Sequence, residues 1–397
     1  MKEKLKIGLV GLGGRGLGLL EIVILKMKDI EVVAVCDLYE DRCERAAEAI
    51  EKSGGRRPMV TRDYKELLHA DEVEAIVICT SWSDHIDLAI AAMENGKYVA
   101  CEVGGAFSMR ECWKLVEAYE RTGIPCMMLE NCCYGRDELM LLNMVKMGYL
   151  GEIVHCSGGY QHDLRYEIAY GEENRHYRLN QYKHRNCDNY PTHQLGPIAR
   201  ILDINRGNRM VSLVSVASKS AGLQDYIRNE KKDDKLADFK FMQGDIVTTI
   251  IKCARGETIT LTLDTTLPRY YSRGFVVRGT KGMFMEDNQS LFIDDLHRPY
   301  ETKWEKQWGN KESFTEKFDH PIWKSYLAEG VKEGHSGMDW LVLKDFFDSA
   351  RKRTQTPIDV YDMAAWMSIT TLSEDSVAMG GQPVAIPDFT NGKWIGR

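Results

Sequence analysis

Gly11, Gly13 and Gly16 lie in the run Gly11-Leu12-Gly13-Gly14-Arg15-Gly16, spaced as G-x-G-x-x-G. Such a loop lets backbone amides approach a pyrophosphate with no side chain in the way. The spacing gains weight from its setting. An apolar run, Lys6 to Val10, leads into the loop, and a stretch with helical apolar spacing follows it. Asp37 ends the next apolar run, 21 positions after Gly16, where a carboxylate accepts hydrogen bonds from an adenosine ribose. A carboxylate there also repels a 2'-phosphate, so the pattern predicts NAD rather than NADP. Trp82 and His85 follow the third apolar run, and Glu102 follows the fourth. Strand ends on this side border the ligand crevice. Trp82 would pack on the dinucleotide there and Glu102 would hold its nicotinamide ribose. Local packing, with Asp84 capping a helix, is the alternative for Trp82 and His85.

The elements that must position these residues alternate along the first third of the chain. Strands are predicted over Lys6 to Val10, Glu31 to Cys36, Ala75 to Cys79, Tyr98 to Cys101 and Ile124 to Met128. Helices are predicted over Leu17 to Met27, Asp41 to Lys52 and Asp84 to Asn95. That alternation implies a parallel sheet covered on both faces. After about residue 150, strands follow one another: Val154 to Gly159, Val211 to Ala217, Asp245 to Lys252, Thr258 to Asp264, Gly274 to Arg278, Met283 to Glu286 and Ser290 to Ile293. Tight turns such as Ala254-Arg255-Gly256 make this sheet mostly antiparallel, with one face covered.

The expected class is therefore α/β plus α+β. An N-terminal Rossmann domain spans residues 1–130, and an open, mostly antiparallel sheet domain with helices on one face spans 131–397. The polar stretch Asn229 to Asp238 reads as an exposed loop. Residues 294–335, with Trp304, Trp308 and Trp323, read as an irregular excursion and a possible arm against a neighbouring subunit. Helices return over Asp339 to Arg351 and Val360 to Met379. An open sheet face commonly needs covering, so a homo-oligomer, dimer or higher, is expected.

Bulk properties narrow the partners. A net charge of -7 over 397 residues disfavours nucleic acid and anionic membrane surfaces, which call for a basic face. No apolar run is long enough to span a bilayer. Eleven cysteines, several inside apolar runs and none in a Cys-x-x-Cys pair, read as reduced thiols rather than a disulfide framework or a metal site. With Met-Lys-Glu-Lys leading straight into a buried-type strand, a cytoplasmic location is expected.

Further motifs stand in both halves. They are Trp82-x-x-His85, Glu102-Val103-Gly104, Glu130-Asn131-x-Cys133-Tyr134-Gly135-Arg136 and Gly159-Tyr160-Gln161-His162-Asp163. Asn189-Tyr190-Pro191-Thr192-His193-x-Leu195-Gly196-Pro197 and Asp264-Thr265-Thr266 with Tyr271-Ser272 complete the set. With these the chain resembles, over nearly its whole length, the Gfo/Idh/MocA oxidoreductases. Within them it resembles glycoside hydrolase family 109, NAD-dependent glycosidases best known as α-N-acetylgalactosaminidases. Ordinary dehydrogenases of the superfamily carry Glu-Lys-Pro after the fourth strand and an Asp four residues before a catalytic His. Val103 and Asn189 occupy those places here, which favours the glycosidase branch. Gln194 stands where relatives often carry Gly.

The resemblance implies that Arg15, Gly16, Asp37, Trp82 to His85, Glu102, Val103 and Asn131 line NAD. It implies that Tyr160, Arg178, Tyr190, Pro191, Thr192, His193 and Tyr271 line a glycoside. The implied reaction is transient oxidation at sugar carbon 3, elimination of the aglycone, addition of water and re-reduction. That route needs proton-transfer groups and a stabilised enolate. His193 is the first choice at the oxidised hydroxyl, since imidazole titrates near neutrality. Tyr271 and Tyr160 are both candidates for the carbon 2 proton; Glu130 and His162 would orient these groups or act on the leaving oxygen. No metal is expected. A sugar or inositol dehydrogenase that releases ketone and NADH is the alternative, and a non-catalytic NAD-binding sensor is a third.

Overall fold

The computed structural model describes residues 4–298, 303–330 and 334–397, and they form two compact units. The first comprises Met1–Tyr134 and Gly330–Ala364; the second comprises Gly135–Glu329 and Ala365–Arg397.

The first unit is built on six strands: β1 (Leu5–Val10), β2 (Ile30–Cys36), β3 (Met59–Thr61), β4 (Ala75–Ile78), β5 (Tyr98–Cys101) and β6 (Cys126–Met128). They pair in the order β3-β2-β1-β4-β5-β6, all parallel. This is the doubly wound dinucleotide-binding order, and its switch point falls between β1 and β4. Every residue of β4 and β5 is buried, as strands covered on both faces require. The covering helices are amphipathic. Glu40–Lys52 buries Cys43, Ala46, Ala47 and Ile50, one stripe at helical spacing. Met109–Thr122 starts at Ser108, whose hydroxyl accepts the Glu111 amide, and stops at left-handed Gly123.

The first helix begins at Gly14, inside the glycine loop, and ends at Ile22; a separate turn follows at Ile24–Lys26. The sequence predicts one helix from Leu17 to Met27. Asp84 caps no helix: its carboxylate accepts from the hydroxyls of Ser81 and Ser83 instead. The segment Gly330–Ala364 groups with this unit, whereas the sequence reading places a single division near residue 130. The cause lies in the helix Met338–Lys352. Tyr134 donates to Asp345 at 2.8 Å, Asn131 donates to Asp339 at 2.8 Å, and Arg351 pairs with Asp29 at 2.7 Å.

The second unit holds an eight-stranded sheet: β7 (Ile153–Gln161), β8 (Met210–Ala217), β9 (Ile246–Cys253), β10 (Thr258–Asp264), β11 (Val276–Gly279), β12 (Gly282–Met285), β13 (Ser290–Ile293) and β14 (Val384–Ala385). The order is β13-β12-β11-β7-β10-β9-β8-β14. All neighbours are antiparallel except β7 and β10, which run parallel. Burial alternates along β9 and β10, so one face is covered and the other open. On the covered face the helix Thr192–Ile201 presses against β7 so closely that a side chain at Gly158 would overlap Gln194.

Two readings of the sequence are corrected here. The stretch Asn229 to Asp238 is not a loop. It contributes to a wide helical turn, Ile227–Lys231, and to a short helix, Asp234–Ala237. Asp233 caps the latter by accepting the amides of Lys235 and Leu236, and Lys231 pairs with Glu173 at 2.8 Å. Side-chain caps and ion pairs fold a segment that has little hydrophobic signal. Within 294–335, the helices Glu312–Phe318 and Pro321–Ala328 replace the expected irregular path; residues 299–302 and 331–333 lie outside the described residues.

Candidate active site

The first unit carries the cofactor cradle. Gly11 sits at φ +89°, where L side chains are strained, and a Cβ there would lie 2.5 Å from the Cys79 carbonyl carbon. A Cβ at Gly16 would overlap the Gly11 carbonyl oxygen. The ends of three strands meet at this loop: the Gly11 amide bonds to Cys36 at 2.8 Å and the Cys79 amide to Val10 at 2.7 Å. No side chain caps the helix that starts at Gly14, so its first amides remain directed at the loop. Asp37 is buried, accepting the Leu12 amide at 2.6 Å and the Tyr39 amide at 2.9 Å, which fixes its carboxylate at the tip of β2. This backbone-lined cradle beside a fixed carboxylate fits a dinucleotide pyrophosphate and ribose.

Around the cradle, residues distant in sequence converge. Arg15 forms a two-pronged bond to Asp339, at 2.8 and 2.9 Å, and its Nε donates to Glu102 at 2.8 Å. Asn131 donates to the same Asp339. His335 approaches the second Asp339 oxygen through Nδ1, at 2.6 Å. Burial by itself would raise the Asp339 carboxyl, but the bonds from His335 and Arg15 hold it well below the usual range. The same bond raises the His335 imidazole, which is 61% exposed at its side chain. Burial raises Glu102 against the pull of Arg15.

The structure thus brings Arg15, Glu102 and Asn131 together, along with His335 and Asp339, which the sequence reading did not single out. A signal was present: Gly334-His335-Ser336-Gly337-Met338-Asp339 flanks a histidine with glycines and puts an acid four residues later, at the start of a helix. Both His335 and Ser336 adopt positive φ, which shapes that turn.

Trp82 is buried against the Glu102-Val103-Gly104 turn, and a Cβ at Gly104 would lie 2.6 Å from its indole. The Val103 amide donates to Glu102. His85 is buried and its Nε2 meets the Thr80 carbonyl at 3.1 Å; burial pushes its pKa down to about 4, so the ring is neutral near pH 7 with Nδ1 as an acceptor. Glu130 accepts the Cys132 amide at 3.1 Å, a visible structural role at the turn Asn131–Tyr134.

The second unit carries a cluster of rings. Tyr160, near the end of β7, and His162, just past it, share a face, with the Tyr160 hydroxyl 3.0 Å from His162 Nδ1. Tyr190, on the turn before the helix Thr192–Ile201, packs against Tyr160 with ring centroids 4.3 Å apart and planes tilted by 37°. Its hydroxyl lies 3.3 Å from His193 Nε2. Tyr271 meets His162 edge to face at 5.1 Å and is half exposed. The Arg178 guanidinium stands over the Tyr190 ring at 5.3 Å and pairs with Glu167 at 3.2 Å. Burial, with Arg178 nearby, lowers His162, leaving a neutral imidazole at pH 7. Pro191 occupies the cap position, and Thr192 is fully buried.

Beneath the turn, Asp188 accepts from the Tyr190 amide and the Thr249 hydroxyl, and burial raises its carboxyl to about 7. Asn189 is buried as well and donates to Gln243 at 3.2 Å. An amide there ties the turn to its support rather than carrying a proton.

Comparison with known proteins agrees with both halves. Residues 5–129 match the family described as an oxidoreductase family with an NAD-binding Rossmann fold, and residues 134–396 match the C-terminal domain of glycosyl hydrolase 109. An α-N-acetylgalactosaminidase of Tannerella forsythia is 38% identical over 417 residues, covering 99% of this chain and 88% of that protein. A second α-N-acetylgalactosaminidase, from Shewanella oneidensis, is 35% identical, covering 99% and 86%. Among solved structures, an inositol dehydrogenase homologue from Azotobacter vinelandii complexed with NAD+ superposes with a TM-score of 0.70 at 15% identity, covering 97% and 98%. A myo-inositol 2-dehydrogenase from Lactobacillus plantarum gives 0.68 at 18%, covering 97% and 100%; at such identities the likeness concerns the fold. Matched in both units and over its full length, the chain belongs to the glycosyl hydrolase 109 family and is a glycosidase that uses NAD.

Proposed function

We propose that the protein cleaves glycosides of N-acetylgalactosamine by transient oxidation at carbon 3, elimination, hydration and re-reduction. The sugar is suggested by the names of the relatives from T. forsythia and S. oneidensis. The carrying observation is the ring cluster: its proton-carrying groups are two imidazoles, each beside a phenol hydroxyl, and three phenols. A displacement glycosidase would instead present a pair of carboxylates across the scissile bond.

Gly11, Gly13, Arg15, Gly16, Asp37, Trp82, His85, Glu102, Val103 and Asn131 would hold NAD, which when bound would supply the reversible hydride acceptor that the route needs. His193 takes the proton of the sugar hydroxyl, with Tyr190 hydrogen-bonded to the imidazole it must orient. Tyr271 or Tyr160 removes the carbon 2 proton, and Arg178 favours negative charge building up beside Tyr190. His162, neutral and bonded to Tyr160, receives or relays that proton. Glu130 orients these groups or acts on the leaving oxygen, and Pro191 and Thr192 line the glycoside beside His193. Val103 and Asn189 argue against a dehydrogenase that releases ketone, because neither side chain carries the proton that such a site exchanges.

The reaction is tested with aryl N-acetylgalactosaminides in heavy water. Deuterium should enter carbon 2 of the released sugar with no net NADH; cleavage without deuterium at carbon 2 sinks the elimination route.

The open face of the second unit's sheet is the proposed contact between copies of the chain. The register aligns Val214 with Ile250 and Thr260, and Val216 with Thr248 and Thr262. Ile250 is 51% exposed and Val216 60%. A β face this apolar is a candidate for burial against a second copy. Sedimentation should report a dimer or larger assembly that Ile250→Lys shifts toward monomer; an unchanged assembly rejects this face. The eleven free thiols suit a reducing compartment, and we place the protein in the cytoplasm on that basis. Among the described residues no helix is long and apolar enough to cross a membrane.

A further inference from the structure

Tyr271 rides on a short connection between β10 and β11, and much of what fixes its position lies outside the ring cluster. Ser272 forms a two-way backbone bridge with Gln161, at 3.0 and 3.2 Å, which sets Tyr271 opposite His162 and Arg273 opposite Tyr160. The Ser272 hydroxyl meets Asp287 and also accepts the Gly274 amide. On the far side, Phe275 and Glu286 exchange bonds: the Phe275 amide donates to the Glu286 carboxylate at 2.9 Å, and the Glu286 amide donates to the Phe275 carbonyl at 2.8 Å.

Between these anchors Arg273 turns inward. Its guanidinium forms an ion pair with Glu138, which is buried in the helix Arg136–Lys146, and lies 3.8 Å from Glu286. Glu138 is enclosed so fully that burial raises its carboxyl to about 7 despite Arg273. A buried pair of this kind is weak support for stability, because desolvation cancels much of the attraction. What it does supply is a fixed geometry. A guanidinium held by one buried carboxylate, with a second close by, has few places to go.

We infer that the buried Glu138–Arg273 pair is a positioning device for Tyr271: it locks the connection so that the Tyr271 ring stays against His162 in the sugar site. The inference rests on the reading of the ring cluster as that site, but the lock itself can be measured independently of catalysis. Arg273 stands two residues after Tyr271 on the same connection, so the pair acts on the Tyr271 ring through the backbone of residues 271–273.

The experiment places 3-fluorotyrosine at position 271 of the full-length protein and follows its fluorine resonance in Arg273→Gln, Glu138→Gln and Arg273→Lys. The two neutral variants should shift or broaden the signal. They should also raise KM for an aryl glycoside by about tenfold, a loss of fixed geometry, with a smaller change in kcat and with NAD+ affinity kept within about twofold. Arg273→Lys keeps the charge but not the fork, so it should restore part of the resonance and part of the KM; it also serves if a neutral variant does not fold. An unshifted resonance in folded Arg273→Gln or Glu138→Gln overturns the inference, whatever happens to activity. Full activity in Tyr271→Phe would instead overturn the role of the Tyr271 hydroxyl in the reaction, and the fluorine signal would still decide on the lock.

Discussion

Gly16→Val should weaken NAD binding severely, and glycosidase activity should fall with it. The reason is steric and local. Any Cβ at position 16 overlaps the Gly11 carbonyl oxygen and comes within 3.1 Å of the Cys79 side chain. Backbone cannot yield as a flexible side chain would, so the loop must open. The amides that face the pyrophosphate then move with it. Affinity for NAD+ should fall by about a hundredfold or more, equivalent to about 3 kcal/mol, measured by calorimetric titration. Gly18→Ala, in the same helix, is the control: nothing lies within 4 Å of a Cβ there, and its affinity should match the parent. If Gly16→Val still binds NAD+ within about threefold, the cradle is not where we place it.

His193→Ala should leave NAD+ bound and nearly stop turnover. His193 lies in the first turn of the helix Thr192–Ile201 and meets Tyr190 through its Nε2. Loss of a positioned proton-transfer group lowers rates by roughly a hundredfold to ten-thousandfold. Steady-state kcat on an aryl glycoside reads the effect, and absorbance of bound NADH after mixing shows whether the first oxidation is the step lost. Thermal melting should match the parent, since the residue is only partly enclosed. A kcat within about threefold of the parent removes His193 from the chemistry.

The cofactor half of this arrangement was legible because its determinants are contiguous. The glycine loop, the strand before it and Asp37 fall within one strand-helix-strand unit, and geometry of that length is encoded locally. The strands Thr258–Asp264 and Ser290–Ile293 matched the predicted limits; along the first, alternation on a half-covered strand is a strong signal. The departures at Val103 and Asn189 were legible as well, and the structure shows Asn189 bound to Gln243 in a buried support.

What was not legible is long-range pairing. Nothing in the neighbourhood of Arg15 announces Asp339, and nothing near Tyr271 announces Glu138. The short edge strand Met59–Thr61, partly exposed, has too few residues for a period to show. Polar segments held by caps and ion pairs, such as Asp234–Ala237, look like loops because their folding signal is not hydrophobic.

The parallel seam between β7 and β10 bears on how the protein acquires its activity. Parallel neighbours demand a long crossover, and here that crossover runs from His162 through Arg178, Tyr190 and His193 before the chain returns to β10. Tyr271 is added only after that return. The ring cluster is therefore incomplete while the seam is open. Closing so long a loop is entropically costly and slow, so the ring cluster is completed late in folding, when Tyr271 joins the four rings that precede it in the chain.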